Sequence, residues 1–128
     1  MPDYTLLKVD PEAVKLLNMP TLVVKHWFLI THIATYIKSN IPDFTDNSVQ
    51  PLTSSKYVNG RWYVECTHET MLSLLSPYGM SNKFTIIRTF NDIKETDKIF
   101  LFQMIGGRNY MSLADFAITQ LFHINQGC

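Results

Sequence analysis

Two glycine-bearing turns, Asn59-Gly60 and Gly106-Gly107, constrain this chain more than any other feature. Each lies between short runs that alternate apolar and polar side chains, and each supplies the positive φ its turn requires. Two β-hairpins are therefore expected, over residues 55–66 and 99–113. Between them lie two stretches with helical spacing. Thr67 caps a helix over residues 68–75, where Met71, Leu72, Leu74 and Leu75 are apolar, and Ser76-Pro77-Tyr78-Gly79 breaks it. Ser81 caps a second helix that runs to about residue 96. Residues 61–113 thus read as strand, helix, tight turn, helix, hairpin.

The flanking segments read as a helical scaffold. Residues 4–9 form a short strand candidate. Asp10 and Pro11 then mark a helix start, with Ala13, Val14, Leu16 and Leu17 apolar and an end near Asn18. Pro20 opens the longest helix, which runs to about residue 39. Val23, Trp27, Ile30, Ala34, Ile37 and Ile41 form its core stripe. Phe28, Leu29 and Tyr36 fall off that stripe and call for a second covering surface, from the terminal segments or from another subunit. Ile41-Pro42 ends the helix, and residues 43–50 read as a loop. In the strand over 61–66, Trp62 and Val64 alternate with Tyr63 and Glu65, so one face is expected inside. A last helix is expected over 114–124, serving as a dimerisation element or packing on the long helix.

With 128 residues, the chain fits one domain: a scaffold over 1–42, a core over 55–113 and a C-terminal helix over 114–124. Apolar residues make up 46 % and charged residues 17 %, which excludes a disordered chain. The formal net charge is zero, which argues against a general attraction for phosphate. Residues 47–113 nevertheless carry seven basic and five acidic side chains, so that half is +2 and the rest −2. Cys66 and Cys128 lie far apart, which points to reduced thiols and a cytoplasmic location rather than a disulfide framework. Met1-Pro2-Asp3 does not resemble a signal peptide. The apolar stretch over 22–41 is interrupted by Lys25, His26, His32 and Lys38, so no membrane span is expected there.

The fold class expected from this order is α+β and mostly helical: a winged helix-turn-helix with a small antiparallel sheet and additional N- and C-terminal helices. Its second motif helix has Ile86, Phe90 and Ile93 on one side, flanked by Thr89 and Ile87. The other side carries Ser81, Phe84, Thr85 and Arg88 early, with Asp92 and Glu95 further along. Hydroxyls, an amide and a guanidinium at a helix amino end suit entry into a major groove, where the helix dipole favours phosphate. Arg88 has the fork to pair with guanine, Asn82 the amide to pair with adenine, and Phe84 the ring to touch a thymine methyl. Lys56 and Arg108, the latter expected at the hairpin tip, are the candidates for backbone phosphates. The plain alternatives are an amphipathic helix with a polar outside and a hairpin with one solvated arginine.

The run from Tyr57 onward resembles the winged-helix modules of phage and plasmid proteins from Gram-positive bacteria, among them replication initiators, replisome organisers and their regulatory relatives. The resemblance rests on Trp62-Tyr63, on Ser81, Thr85, Ile86, Ile87, Arg88 and Phe90, and on Gly106-Gly107. The opening segment over 4–37 is similar to the start of such proteins. It implies binding to double-stranded DNA in transcription control or replication, through Ser81, Asn82, Lys83, Phe84, Thr85, Arg88, Lys56 and Arg108. It also implies a homodimer through the C-terminal or long N-terminal helix.

No catalytic role is expected. His26, His32, His68 and His123 lack metal-ligand spacing, Cys66 and His68 stand alone, and His26 falls on an apolar stripe as a core histidine would. Nucleophile-elbow, P-loop and dinucleotide motifs are missing from the sequence, so no cofactor is expected. The alternative function is a winged-helix-shaped module that binds a host or replisome protein through Phe84, Phe28 or Tyr36. The neutral charge and the outward position of Phe84 favour it. A continuous positive patch from the reading helix to Arg108 would favour DNA, and a neutral apolar patch the protein partner.

Overall fold

The computed structural model describes residues 6–17, 24–52, 54–79, 82–94 and 98–124, with backbone alone for 24–26. The chain is α+β. Helix α1 (Pro11–Leu17) and helix α2 (Val24–Asn40) precede a hairpin of β1 (Ser55–Val58) and β2 (Arg61–Glu65). Helix α3 (His68–Leu75), a 3-10 turn (Ser76–Tyr78) and helix α4 (Lys83–Ile93) follow, then a second hairpin of β3 (Phe100–Ile105) and β4 (Arg108–Leu113). A π-helical turn at Ala117–Leu121 comes last. The four strands form one antiparallel sheet in the order β1-β2-β4-β3.

That order follows from the two glycine turns. Asn59 and Gly60 have φ of 49° and 81°, and Gly106 and Gly107 have 58° and 77°. Paired positive φ values give a turn whose twist matches the strands it joins, so both hairpins close in register. The pairs Val58 with Arg61 and Ile105 with Arg108 flank the two turns. The hairpins then join when β2 pairs with β4, Val64 opposite Met111 and Glu65 opposite Tyr110.

One face of this sheet carries Trp62, Val64, Phe100, Phe102 and Met111, and it meets the helices in a single apolar core. Helix α2 runs through the centre of that core. Leu29, Ile30, Ile33, Ala34 and Ile37 are buried on it, together with the polar His32 and Thr35. Leu29 therefore needs no partner subunit to cover it. Phe28 remains exposed, and Tyr36 is half-buried with its hydroxyl directed at the Glu65 carbonyl, 3.5 Å away. His32, not singled out from the sequence, is a core histidine; the side chain of His26 lies outside the described residues.

Several expected boundaries change. Residues 6–9 are irregular rather than strand. They lean on α2, where the Leu7 amide donates to the Thr35 hydroxyl at 3.1 Å. The loop over 43–50 is held by buried Phe44, whose carbonyl accepts the Trp62 amide at 2.8 Å, and by the Trp62 indole donating to the Asp46 carbonyl at 2.9 Å. Tyr63 is buried along with Trp62 and Val64, so the alternation in β2 does not separate an inside from a solvated outside. The C-terminal helix shrinks to Ala117–Leu121, with the backbone of Leu121 tied to α1 through a 2.8 Å bond from the Asp10 amide. Its apolar residues Ala117, Ile118 and Leu121 are buried within the chain. Among the described residues, no helix is long and apolar enough to cross a membrane.

Candidate nucleic-acid interface

Helix α4 begins where its cap places it. Asn82, with φ −93° and ψ 108°, accepts the Phe84 amide on Oδ1 at 2.9 Å. The cap is thus Asn82 and not Ser81, which lies outside the described residues. This shift has a chemical consequence. Pairing with adenine needs both the oxygen and the nitrogen of an asparagine amide. The cap uses one of that oxygen's two lone pairs, so Asn82 shares its acceptor with the Phe84 amide while both N–H donors stay available.

The helix buries Ile86, Thr89, Phe90 and Ile93 and ends at Lys94, earlier than the sequence pattern extended it. Thr89 satisfies its hydroxyl by donating to the Thr85 carbonyl at 2.9 Å. Asn82, Lys83, Phe84 and Arg88 are exposed, and Thr85 is half-buried. Phe84 is 75 % exposed, the largest value among the exposed large apolar residues described. Among the described residues, neither Lys83 nor Arg88 forms an ion pair. The amino end of α4 therefore projects, with two cations on its first two turns that form no ion pair among the described residues.

Helix α3 packs on α4, and α4 also meets the second hairpin directly, with the Phe90 ring 6.3 Å from that of Phe102. Thr67 caps it, accepting the Thr70 amide at 3.2 Å. His68 begins the helix, its ring 5.5 Å from that of Phe90. Burial holds the His68 imidazole below its ordinary pKa, and the charges of Lys83 and Lys94 push it the same way. Lys83 and Lys94 are three helical turns apart and so share a stripe of α4. Lys94 also lies over the Phe102 ring, 5.2 Å from its centre. A cleft of ≈ 380 Å³ separates the start of α3 from the hairpin, with Glu65, Thr67, His68 and Glu69 on one wall and Met104, Gly107, Arg108 and Asn109 on the other.

The remaining expected contacts fall elsewhere. Arg108 is not a free cation at the hairpin tip. The tip is Gly106-Gly107, and Arg108 is the first residue of β4. Its Nη1 donates to both carboxylate oxygens of Glu65, at 3.1 and 3.2 Å. Lys56 is exposed on β1, at the far edge of the sheet from β3. It pairs in register with Tyr63, on the same face as Glu65 and Arg108, but on the edge strand furthest from β3, where Lys94 of α4 meets Phe102, so it lies apart from α4. Sequence reasoning missed Glu65 and Met104 as members of this region. The outward alternation of Glu65 and the sign of Arg108 were the available signals, but only the β2–β4 register brings them together.

Among the described residues, no three His, Cys, Asp or Glu side chains are grouped to hold a metal ion. Cys66 is buried, and desolvation drives its thiol pKa far up, so it is held protonated. Comparison of the chain with protein-family models, with curated proteins and with solved structures gives no match.

Proposed function

We propose that this chain is a winged helix-turn-helix protein that binds duplex DNA, with α4 entering the major groove by its amino end and the β3–β4 hairpin lying alongside. The strand order β2-β4-β3, with α3 and α4 connecting β2 to β3, supports the fold reading. The observation that carries the function is the exposed pair Lys83 and Arg88 at the protruding start of α4. Lys83, Phe84, Thr85, Arg88 and the donors of Asn82 make up the footprint. Lys56 is left out, because it lies apart from α4. Arg88 alone retains a free fork for a guanine, so phosphate contacts dominate affinity. Leu29, Ile30, Ile33, Ala34 and Ile37 of α2 and the apolar residues of the C-terminal turn are buried inside the chain, and the proposal is for one chain on DNA.

The test is a polarisation titration of the whole chain against a pool of random-sequence duplexes, between about 50 and 200 mM salt. Lys83→Ala and Arg88→Ala should each weaken binding and flatten the log–log salt slope by about 0.9. Unchanged binding in both variants would remove α4 from the interface. A second reading, a module that docks on a protein, is favoured by Phe84 and by Met104, which is 69 % exposed. An absence of DNA binding at low salt would select it. Tyr36 is excluded from such a docking surface because its ring is half-buried and its hydroxyl faces Glu65.

A further inference from the structure

The ion pair between Arg108 and Glu65 is set by the sheet register. Glu65 stands opposite Tyr110, and Arg108, two residues earlier on β4, lands diagonal to it. The Glu65 backbone is fixed, its amide donating to the Ser54 carbonyl at 3.0 Å. The Glu65 side chain is 20 % exposed, whereas that of Arg108 is 64 % exposed. Both contacts run through Nη1, so the contacts to Glu65 occupy one of the three guanidinium nitrogens and leave the outward donors to another anion. A phosphate presents the same oxygen spacing that Glu65 does, and an exposed pair of this kind is weak enough to exchange.

We propose that Glu65 acts as an intramolecular stand-in for a DNA phosphate, holding Arg108 out of the interface and thereby limiting affinity. The inference rests on the DNA-binding reading and adds regulation of that site. A phosphate that takes the outward donors of Arg108 comes to lie beside the Glu65 carboxylate, whose further polar contact among the described residues is the Ser54 hydroxyl, 3.5 Å away. Like charge then opposes the contact. Removing the charge of Glu65 converts Arg108 from a satisfied residue into a phosphate ligand.

The experiment compares the parent chain with Glu65→Gln, Arg108→Ala and the double variant, using the random-sequence duplex pool across a salt series. Glu65→Gln should tighten binding about fivefold and steepen the log–log slope by about 0.9. Arg108→Ala alone should weaken binding by less than about fivefold, because it removes no existing phosphate contact and only unmasks the Glu65 charge. In the double variant, the whole gain should vanish. A parent that binds while Glu65→Gln binds no better overturns this inference and leaves the DNA reading intact. A gain that survives Arg108→Ala overturns it as well, because the gain would not pass through Arg108. If neither the parent nor Glu65→Gln binds, both readings fall. Should the glutamine variant not fold, Glu65→Thr, neutral and suited to a strand, repeats the measurement.

Discussion

Phe84 and Phe90 stand six residues apart on one helix and give opposite predictions. Phe84 is 75 % exposed and Phe90 is 2 % exposed. A phenylalanine buries about 200 Å² when enclosed, so Phe84 hides about 50 Å², worth about 1 kcal/mol at about 25 cal/mol per Å². Alanine restores about 0.5 kcal/mol through its better helix propensity. Phe84→Ala should therefore cost less than about 1 kcal/mol. Phe90→Ala removes a ring packed against His68 and Phe102 and leaves a cavity, at a cost of about 3–5 kcal/mol.

Urea unfolding followed by circular dichroism separates the two cases. With a slope of about 1.5 kcal/mol per M for a chain this size, Phe90→Ala should lower the midpoint by about 2–3 M and Phe84→Ala by less than about 0.7 M. The comparison is internal, because both substitutions are Phe to Ala on the same helix and changes in the unfolded state largely cancel. Similar losses in the two variants would mean that the first turn of α4 is packed, and the projecting interface would then not exist. A gain for Phe84→Ala would leave the reasoning intact, since exposed aromatic area contributes little.

Three further outcomes follow from the same geometry. Asn82→Ala should lose about 1 kcal/mol by orphaning the Phe84 amide, whereas Asn82→Asp should keep the cap and favour the helix dipole; thermal melts of the two variants check this. Gly106→Ala and Gly107→Ala should each cost about 1–2 kcal/mol even though a Cβ meets no neighbour at either position, because φ of 58° and 77° is strained for alanine; Gly106→Asn should cost less, and urea midpoints rank the three. His32 and His68 are both held below the usual imidazole pKa, first by burial and for His68 also by Lys83 and Lys94. Below pH about 6.5 the unfolded chain therefore binds protons that the native chain refuses, and stability should fall as pH drops from about 7.5 to 5.5. Urea midpoints across that range, with ring-proton titrations of both histidines, would refute this by showing no fall.

The elements of this fold were legible wherever a local interaction dictates them. Asn59-Gly60 and Gly106-Gly107 fixed two turns, Thr67 fixed the start of α3, and Pro42 followed a helix that ended near Asn40. Elements decided by tertiary packing were less legible. The periodicity of α2 suggested a single stripe, but the helix is buried nearly all round, which erases the contrast that a stripe needs. The C-terminal segment has helical composition, yet it closes as a single π turn against α1. Of the candidate site, the amino end of α4 could be read because capping and exposure are local. The pairing of Arg108 with Glu65 could not, since the two residues lie 43 positions apart and meet only through strand register.

Zero net charge is a poor guide to this surface because much of the charge cancels in pairs away from α4. Glu12 pairs with Lys15 and Asp115 with Arg61, so these charges largely cancel where they stand and add little to the field at α4. At about 0.1 M salt, fields decay within about 10 Å, so only charges near the footprint matter. Among the described residues around α4 these are Lys83, Arg88, Lys94 and Asp92 on the helix, with Glu69 and the Glu65–Arg108 pair across the cleft. The local balance is positive but narrow, and Phe84 interrupts it at its most exposed point. On the proposed DNA reading, a surface of this kind has weak non-specific attraction, and Glu65 sets how far Arg108 adds to it. Lys83 and Arg88 remain the residues whose substitution separates a nucleic-acid interface from a protein-docking one, because they project from α4 itself.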